Sequence, residues 1–234
     1  MADIPNRDQL ERILARKLAG LNRRQLGQLL ELMGDPPKIE NVPLSFWDDA
    51  GKELAQVVTP FSERVYLEAA ERMLESVPIG VDWNLVNESA SIWAREYSYE
   101  LVGKINTTSQ RAVSRAVANF YDQGLTMGEL TDRLGSIYSP VRAEMIAQTE
   151  VTRAAAAGEY EVVSELAKDG IKMVAVWETN NDEIVQRCPI CWPRHGKKEG
   201  DGWTRNAGIH QEPPAHPRCR CWINHEFEKE PVNA

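Results

Sequence analysis

The stretch that decides the reading runs Cys188-Pro189-Ile190-Cys191, then a glycine-rich basic segment, then Pro213-Pro214-Ala215-His216-Pro217-Arg218-Cys219-Arg220-Cys221. All four cysteines of the chain and three of its four histidines fall between Cys188 and Cys221. A Cys-x-x-Cys turn places two sulfurs on one side of a tight knuckle, within reach of one tetrahedral ion, and a second pair has to close the site. Cys219 and Cys221 supply that pair, and His216 competes with them as a ligand. The candidate metal ligands are therefore Cys188, Cys191, His216, Cys219 and Cys221, with zinc as the expected structural cofactor. Which of the last three complete the site stays open, since the spacer after Cys191 is longer than in most compact zinc ribbons. Arg187, Arg218 and Arg220 lie close in sequence and would favour the thiolate forms that bind metal.

Other readings of the cysteines fit less well. A plain alternative is a set of buried or disulfide-capable cysteines packing a small loop-rich lobe. A thioredoxin-like redox pair lacks the expected helix or βαβ context. The zinc deaminases need a proline before Cys-x-x-Cys and an upstream His-x-Glu. Here Arg187 precedes Cys188 and no histidine occurs before His195. A closed four-ligand site leaves no position for water, so a structural role is expected and no enzymatic one.

Composition fits that picture. The 234 residues are 42% hydrophobic and 26% charged, enough to bury a real core in one large or two smaller domains. A net charge of -8 argues against a dedicated DNA-coating protein, while leaving room for a local basic patch. No run of about 18 apolar residues occurs, so no membrane span is expected, and Met1 to Leu10 lack a signal-peptide pattern. A reducing cytosol is the expected compartment, where clustered cysteines are metal ligands more often than disulfides.

Outward from the cysteines the chain reads as helices. Leu10, Ile13, Leu14, Leu18, Leu21, Leu26, Leu29, Leu30 and Met33 recur near helical spacing, and Gly34-Asp35-Pro36-Pro37 stops that helix. After a short extended connector at Lys38 to Pro43, helical periodicity runs from Phe46 to Leu74, with Pro60 as a break or kink. Val77 to Gly80 reads as a turn, and Asp82 to Val102 as another amphipathic helix. Three shorter helices follow, opened by capping boxes at Thr107-Thr108-Ser109-Gln110 and Thr126-Met127-Gly128-Glu129 and by Ser139-Pro140. Gly124 reads as a helix C-cap. The last helix reaches about Lys168, and its alanine run, Ala154 to Ala157, lets a neighbour approach closely. Ile171 to Trp177 reads as a strand of alternating pattern, and Trp222 to Asn224 as a second one.

The expected class is α+β, mostly α: a helical N-terminal region followed by a small mixed α/β C-terminal lobe with a zinc knuckle. The expected segments are 1–35, 44–137, 138–225 and a mobile tail at 226–234.

Two further constellations stand out. Between Arg187 and Arg220 seven basic residues face three acids, with Trp192, Trp203 and Trp222 interleaved. Arg194, Lys197, Lys198 and Arg205 are the candidates for contact with a phosphate backbone or an acidic partner. The competing reading is a solvated loop whose tryptophans cap the metal lobe. On the long helix, Arg142, Glu144, Thr149, Glu150 and Arg153 form the second constellation. Glu150 and Arg153 have the spacing of an ordinary surface ion pair, and no glycine-rich phosphate loop accompanies them.

Ile146-Ala147-Gln148-Thr149-Glu150-Val151-Thr152-Arg153, Trp177, the Cys188–Cys191 knuckle and the His-Pro-x-Cys-Arg-Cys ending together resemble the Mu-F-like head morphogenesis proteins of tailed bacteriophages. The resemblance covers roughly residues 80 to 223. It implies a minor capsid protein that binds the portal protein, and major capsid or scaffolding subunits, during procapsid assembly. It also implies residence in the host cytoplasm and then in the virion, inside the head near the portal. Phage DNA is a further candidate partner. The helical N-terminal third would then dock to portal or capsid. Some relatives are fused to toxin or ADP-ribosyltransferase modules, and with the chain ending at Ala234 none is expected here. The alternatives are a nucleic-acid-binding zinc module and a nucleotide-transferring enzyme built on Thr149, Glu150 and Arg153.

Overall fold

The computed structural model describes residues 4–77, 82–204 and 212–228. Its elements run α1 (Arg7–Met33), α2 (Leu44–Glu75), α3 (Trp83–Gln123), α4 (Met127–Ile137), α5 (Pro140–Lys168), β1 (Met173–Glu178), α6 (Glu183–Gln186) and β2 (Trp222–Phe227). Mostly helical, with a small two-stranded sheet near its C-terminal end, the fold has the expected class. Among the described residues no helix is long and apolar enough to cross a membrane.

Helix boundaries follow local chemistry where a cap or a stop exists. Gly124, at φ 62°, lets Leu125 N–H turn back to the Phe120 carbonyl at 3.0 Å, which ends α3. Gly170, at φ 83°, does the same for α5, with Ile171 N–H on Leu166 O at 3.0 Å. Thr126 and Glu129 form the reciprocal capping box that opens α4. Ser139 Oγ accepts from Arg142 N–H at 3.2 Å at the start of α5.

One expected break is absent, and at a second position, read as a break or kink, the helix continues. The box at Thr107 does not form, and α3 runs straight through it. Thr108 and Ser109 turn their hydroxyls onto the Lys104 and Ile105 carbonyls, each at 2.8 Å, a helix-compatible use of the same side chains. Pro60 likewise lies inside α2. One missing N–H costs less than the burial on either side of it, at Val58, Phe61 and Val65. The connector before α2 contains a 3-10 turn at Ile39–Asn41. The turn expected at Val77 to Gly80 lies largely outside the described residues.

By compactness the chain divides into two units. One comprises Glu11–Phe61 and Trp93–Ala147. Its core joins Leu29 and Met33 of α1, Phe46 and Trp47 of α2, Val113 and Val117 of α3, and Leu130 and Leu134 of α4. The other comprises Met1–Leu10, Ser62–Ile92 and Gln148–Ala234. In it the later half of α2 lies so close to α5 that a Cβ on Gly158 would stand 2.1 Å from the Tyr66 carbonyl oxygen. The close approach expected at the alanine run is therefore made one residue beyond it, with Ala154 and Ala155 buried alongside.

In the same unit β1 and β2 pair antiparallel from Met173↔Phe227 to Glu178↔Trp222. β2 is longer than expected, so Glu226 and Phe227 are strand rather than tail; residues 229–234 lie outside the described set. β1 does not alternate either. Ala175, Val176 and Trp177 are all buried, because both faces of the strand are covered. Its second edge takes the segment Gly196 to Glu199: Trp177 N–H donates to Lys197 O at 2.9 Å, Gly196 N–H to Trp177 O at 2.8 Å, and Glu199 N–H to Ala175 O at 2.9 Å.

Candidate metal centre

The knuckle is built by a short run of local bonds. Asp182 caps α6 by accepting from Val185 N–H at 2.8 Å. Cys188 N–H then donates to Val185 O at 2.9 Å, which turns the chain. Cys191 N–H points back at Cys188 Sγ at 3.4 Å, and Trp192 N–H at Cys188 O at 3.2 Å. The second ligand segment bends at Arg218, whose φ of 65° is left-handed, while Cys219 N–H donates to His216 O at 3.1 Å. Helix α5 seats that bend with two threonines three residues apart, on one face. Thr149 Oγ1 accepts from Arg218 N–H at 3.0 Å, and Thr152 Oγ1 donates to Cys219 O at 2.8 Å.

These turns bring all five expected ligands together. Cys188, Cys191 and His216 form one triad of donor atoms within 4.8 Å of one another; Cys191, Cys219 and Cys221 form a second. Cys191 belongs to both. His216 Nε2 lies 3.1 Å from Cys191 Sγ and 3.3 Å from Cys188 Sγ, and Cys191 Sγ lies 3.8 Å from Cys219 Sγ. A tetrahedral ion bonded to sulfur at about 2.3 Å sets its sulfurs about 3.8 Å apart, so the spacing suits one. The His216 tautomer also fits. A carbonyl can only accept, so Nδ1 carries the proton it gives to Pro217 O at 2.8 Å, leaving the Nε2 lone pair toward the sulfurs.

The electrostatics ask for a cation. Burial pushes the Cys188 thiol up, but the backbone N–H groups of Cys191 and Ile190 bring it below its usual value. The Cys219 sulfur is held low by thiol donors at Cys191 and Cys221, while Cys191 is pushed up, chiefly by giving its proton to Cys219 and then by Cys221 and burial. Three buried sulfurs thus share one favoured thiolate, and a bound dication would let the others ionise. The expected help from Arg187 and Arg220 is spent elsewhere: Arg187 is 3.8 Å from Glu183 and well exposed, and Arg220 pairs with Asp8.

Ligands and core are one object here. Cys191, Cys219 and Cys221 are buried together with Trp177, Trp203, Ala175, Ala215 and Ile223. Trp177 and Trp203 meet edge to face at 5.5 Å, and Trp203 Nε1 donates to Lys197 O at 2.8 Å. A cavity of about 250 Å³ opens beside the cluster, lined by Gln148, Ile184, Arg218 and Arg220 as well as the five ligands.

The other expected residues fall differently. Lys197 and Lys198 have exposed side chains, but their backbone edges β1. The Arg194 guanidinium lies 5.0 Å over the Trp177 ring. Arg205 lies outside the described residues. Of the three interleaved tryptophans, Trp203 is core and Trp192 is exposed and stacked on His195. Glu150 is not on a solvated face: it is 5% exposed, 3.9 Å from Arg153. Neither it nor Thr149 lines the cavity. Sequence reasoning missed Thr152, although its spacing from Thr149 carried the signal. It also missed Arg7, which donates to Thr152 from the far end of the chain and which no local pattern marks.

The family described as "Phage Mu protein F like protein" matches residues 108–224, which contain α4, α5, β1, all five candidate ligands and the first half of β2. No curated protein and no solved structure gives a significant match.

Proposed function

The chain belongs to the Phage Mu protein F like family, a family of phage head morphogenesis, and on that premise we propose that it is a minor head protein that joins the portal vertex during procapsid assembly. It works as a structural component rather than an enzyme, in the host cytoplasm first and then inside the head near the portal. Its partners are the portal protein and capsid or scaffolding subunits. A structural zinc holds its C-terminal lobe. The observation that carries the proposal is the family match, which spans the whole ligand set.

Zinc is favoured over other ions by the donors themselves, cysteine sulfurs and one imidazole in two triads that share Cys191. The basic loop gives less support to DNA contact. Glu199 and Asp201 are exposed beside Lys197 and Lys198, Arg187 faces Glu183, and His195 lies 3.3 Å from Glu178. The apolar face of α1 is not free for docking, because Leu10, Leu14, Leu18, Leu21, Leu29 and Met33 are all buried. Docking then falls to exposed side chains elsewhere.

The test is co-expression with the portal protein of the same phage, followed by co-purification at moderate salt. A stable complex is expected. Retention by duplex DNA alone, lost steeply with salt, together with no portal complex, would replace this reading by the nucleic-acid one.

A further inference from the structure

The ligand segment is gripped from two sides, and α5 is only one of them. Thr152 Oγ1 donates to Cys219 O at 2.8 Å and accepts from Arg7 Nη1 at 2.7 Å. A hydroxyl has one proton. With Arg7 occupying its acceptor side, the proton is directed at Cys219, so Arg7 fixes the orientation of a bond to a ligand residue's backbone. Both side chains are almost wholly enclosed, Arg7 at 3% and Thr152 at 1% exposure. The next residue, Asp8, pairs with Arg220, which stands between Cys219 and Cys221. Arg7 and Asp8 open α1, some two hundred residues away in sequence, in the same compact unit as the centre.

We infer that the first turn of α1 is an outer layer of the metal centre: Arg7 through Thr152, and Asp8 through Arg220, position the Cys219–Cys221 segment, so metal loading and seating of the N-terminal turn are linked. The inference rests on the metal reading above. Arg7 is a positioning residue and touches no metal. Partners that orient a ligand from behind typically govern metal affinity by about 10- to 100-fold. Linkage makes the effect reciprocal: whatever factor the seated turn adds to metal affinity, the metal adds to seating of the turn.

The experiment uses the full chain, reduced and metal-free, titrated with Zn2+ against a chromophoric chelator. Arg7→Met and Thr152→Val should each weaken zinc binding by about 10- to 100-fold. Asp8→Asn, which breaks a largely exposed pair, should weaken it by less than about fivefold. A merely structural role would lower melting of the loaded and metal-free forms equally and leave the affinity alone. A second measurement needs no mutation. Hydrogen exchange at residues 4–10 should quicken when metal is removed, while exchange in α4 stays unchanged. If the parent chain takes up no zinc, the metal reading itself falls. If it binds zinc and both buried variants bind as tightly, the metal reading stands and the linkage is overturned. Should those variants not fold, unchanged exchange at residues 4–10 on metal removal overturns it equally.

Discussion

Replacing Arg72 with methionine should destabilise the protein in a way that depends on pH. Arg72 on α2 donates to Glu159 on α5, whose side chain is 5% exposed. Burial raises the Glu159 pKa, and the charges of Arg72 and then Arg7 oppose that rise. Methionine fills much of the arginine's stem volume but removes the nearer cation, so the carboxylate loses its main compensation. Breaking a buried pair from one side costs about 3–5 kcal/mol. At that size the urea midpoint should fall by about 1–2 M at pH 7.

The sign with pH follows from the direction of the shift. A carboxyl whose folded pKa lies above its unfolded value binds its proton more readily when folded. Its favourable contribution is therefore full below the unfolded pKa and is lost as pH rises through the folded one. Removing Arg72 raises the folded pKa further. The loss relative to the parent should thus be largest at neutral pH and should shrink on acidification as Glu159 becomes neutral. Measuring variant and parent side by side at each pH cancels the acid sensitivity of the metal ligands, which the two share. An equal loss at pH 7 and pH 5, or a loss under about 1 kcal/mol at pH 7, would refute the argument. Glu159→Gln in the Arg72→Met background is the control: with no carboxylate to strand, the pH dependence should vanish.

Gly158→Ala should cost about 3 kcal/mol in urea unfolding, because its Cβ would stand 2.1 Å from a backbone oxygen that no side-chain rotation can move; an unchanged midpoint would mean that α2 and α5 are not so close. Cys191→Ser should abolish zinc uptake measured as metal content per chain, since Cys191 belongs to both triads. Retention of about one zinc by that variant would disprove the shared-ligand arrangement.

The parts of the fold that were legible are those in which a residue's role is settled within a few neighbours. Capping at Thr126, the helix ending at Gly124 and the proline stop after Met33 all lie where the sequence points to them. The false break at Thr107 shows the limit. A Thr or Ser hydroxyl can cap a new helix or bond the carbonyl four residues back, and local sequence does not say which. The clustering of the five candidate ligands was legible because a metal demands a narrow set of residue types. Thr152 and Arg7 were not, because their roles exist only once α5, the first turn of α1 and the Cys219 bend have been brought together. Trp203 could be read two ways for a related reason: an aromatic beside basic residues suits a stacking surface or a small core equally, and burial decides.

The long spacer between the two ligand segments stops being an anomaly once the sheet is considered. A two-stranded antiparallel pair is marginal by itself in water. Here β1 and β2 are joined by the whole ligand-bearing loop, which adds one more edge at Gly196 to Glu199 but no further paired strand among the described residues. The small core around Trp177 and Trp203 contains three of the four cysteines themselves, so without a bound ion it would bury one favoured thiolate and two thiols. Closing a loop costs only slowly more as it lengthens. A long spacer is therefore cheap, whereas a metal cross-link at its ends, next to the first residue of β2, would do what a third and fourth strand otherwise do. On the metal reading proposed above, an ion placed there should unfold the lobe when it leaves.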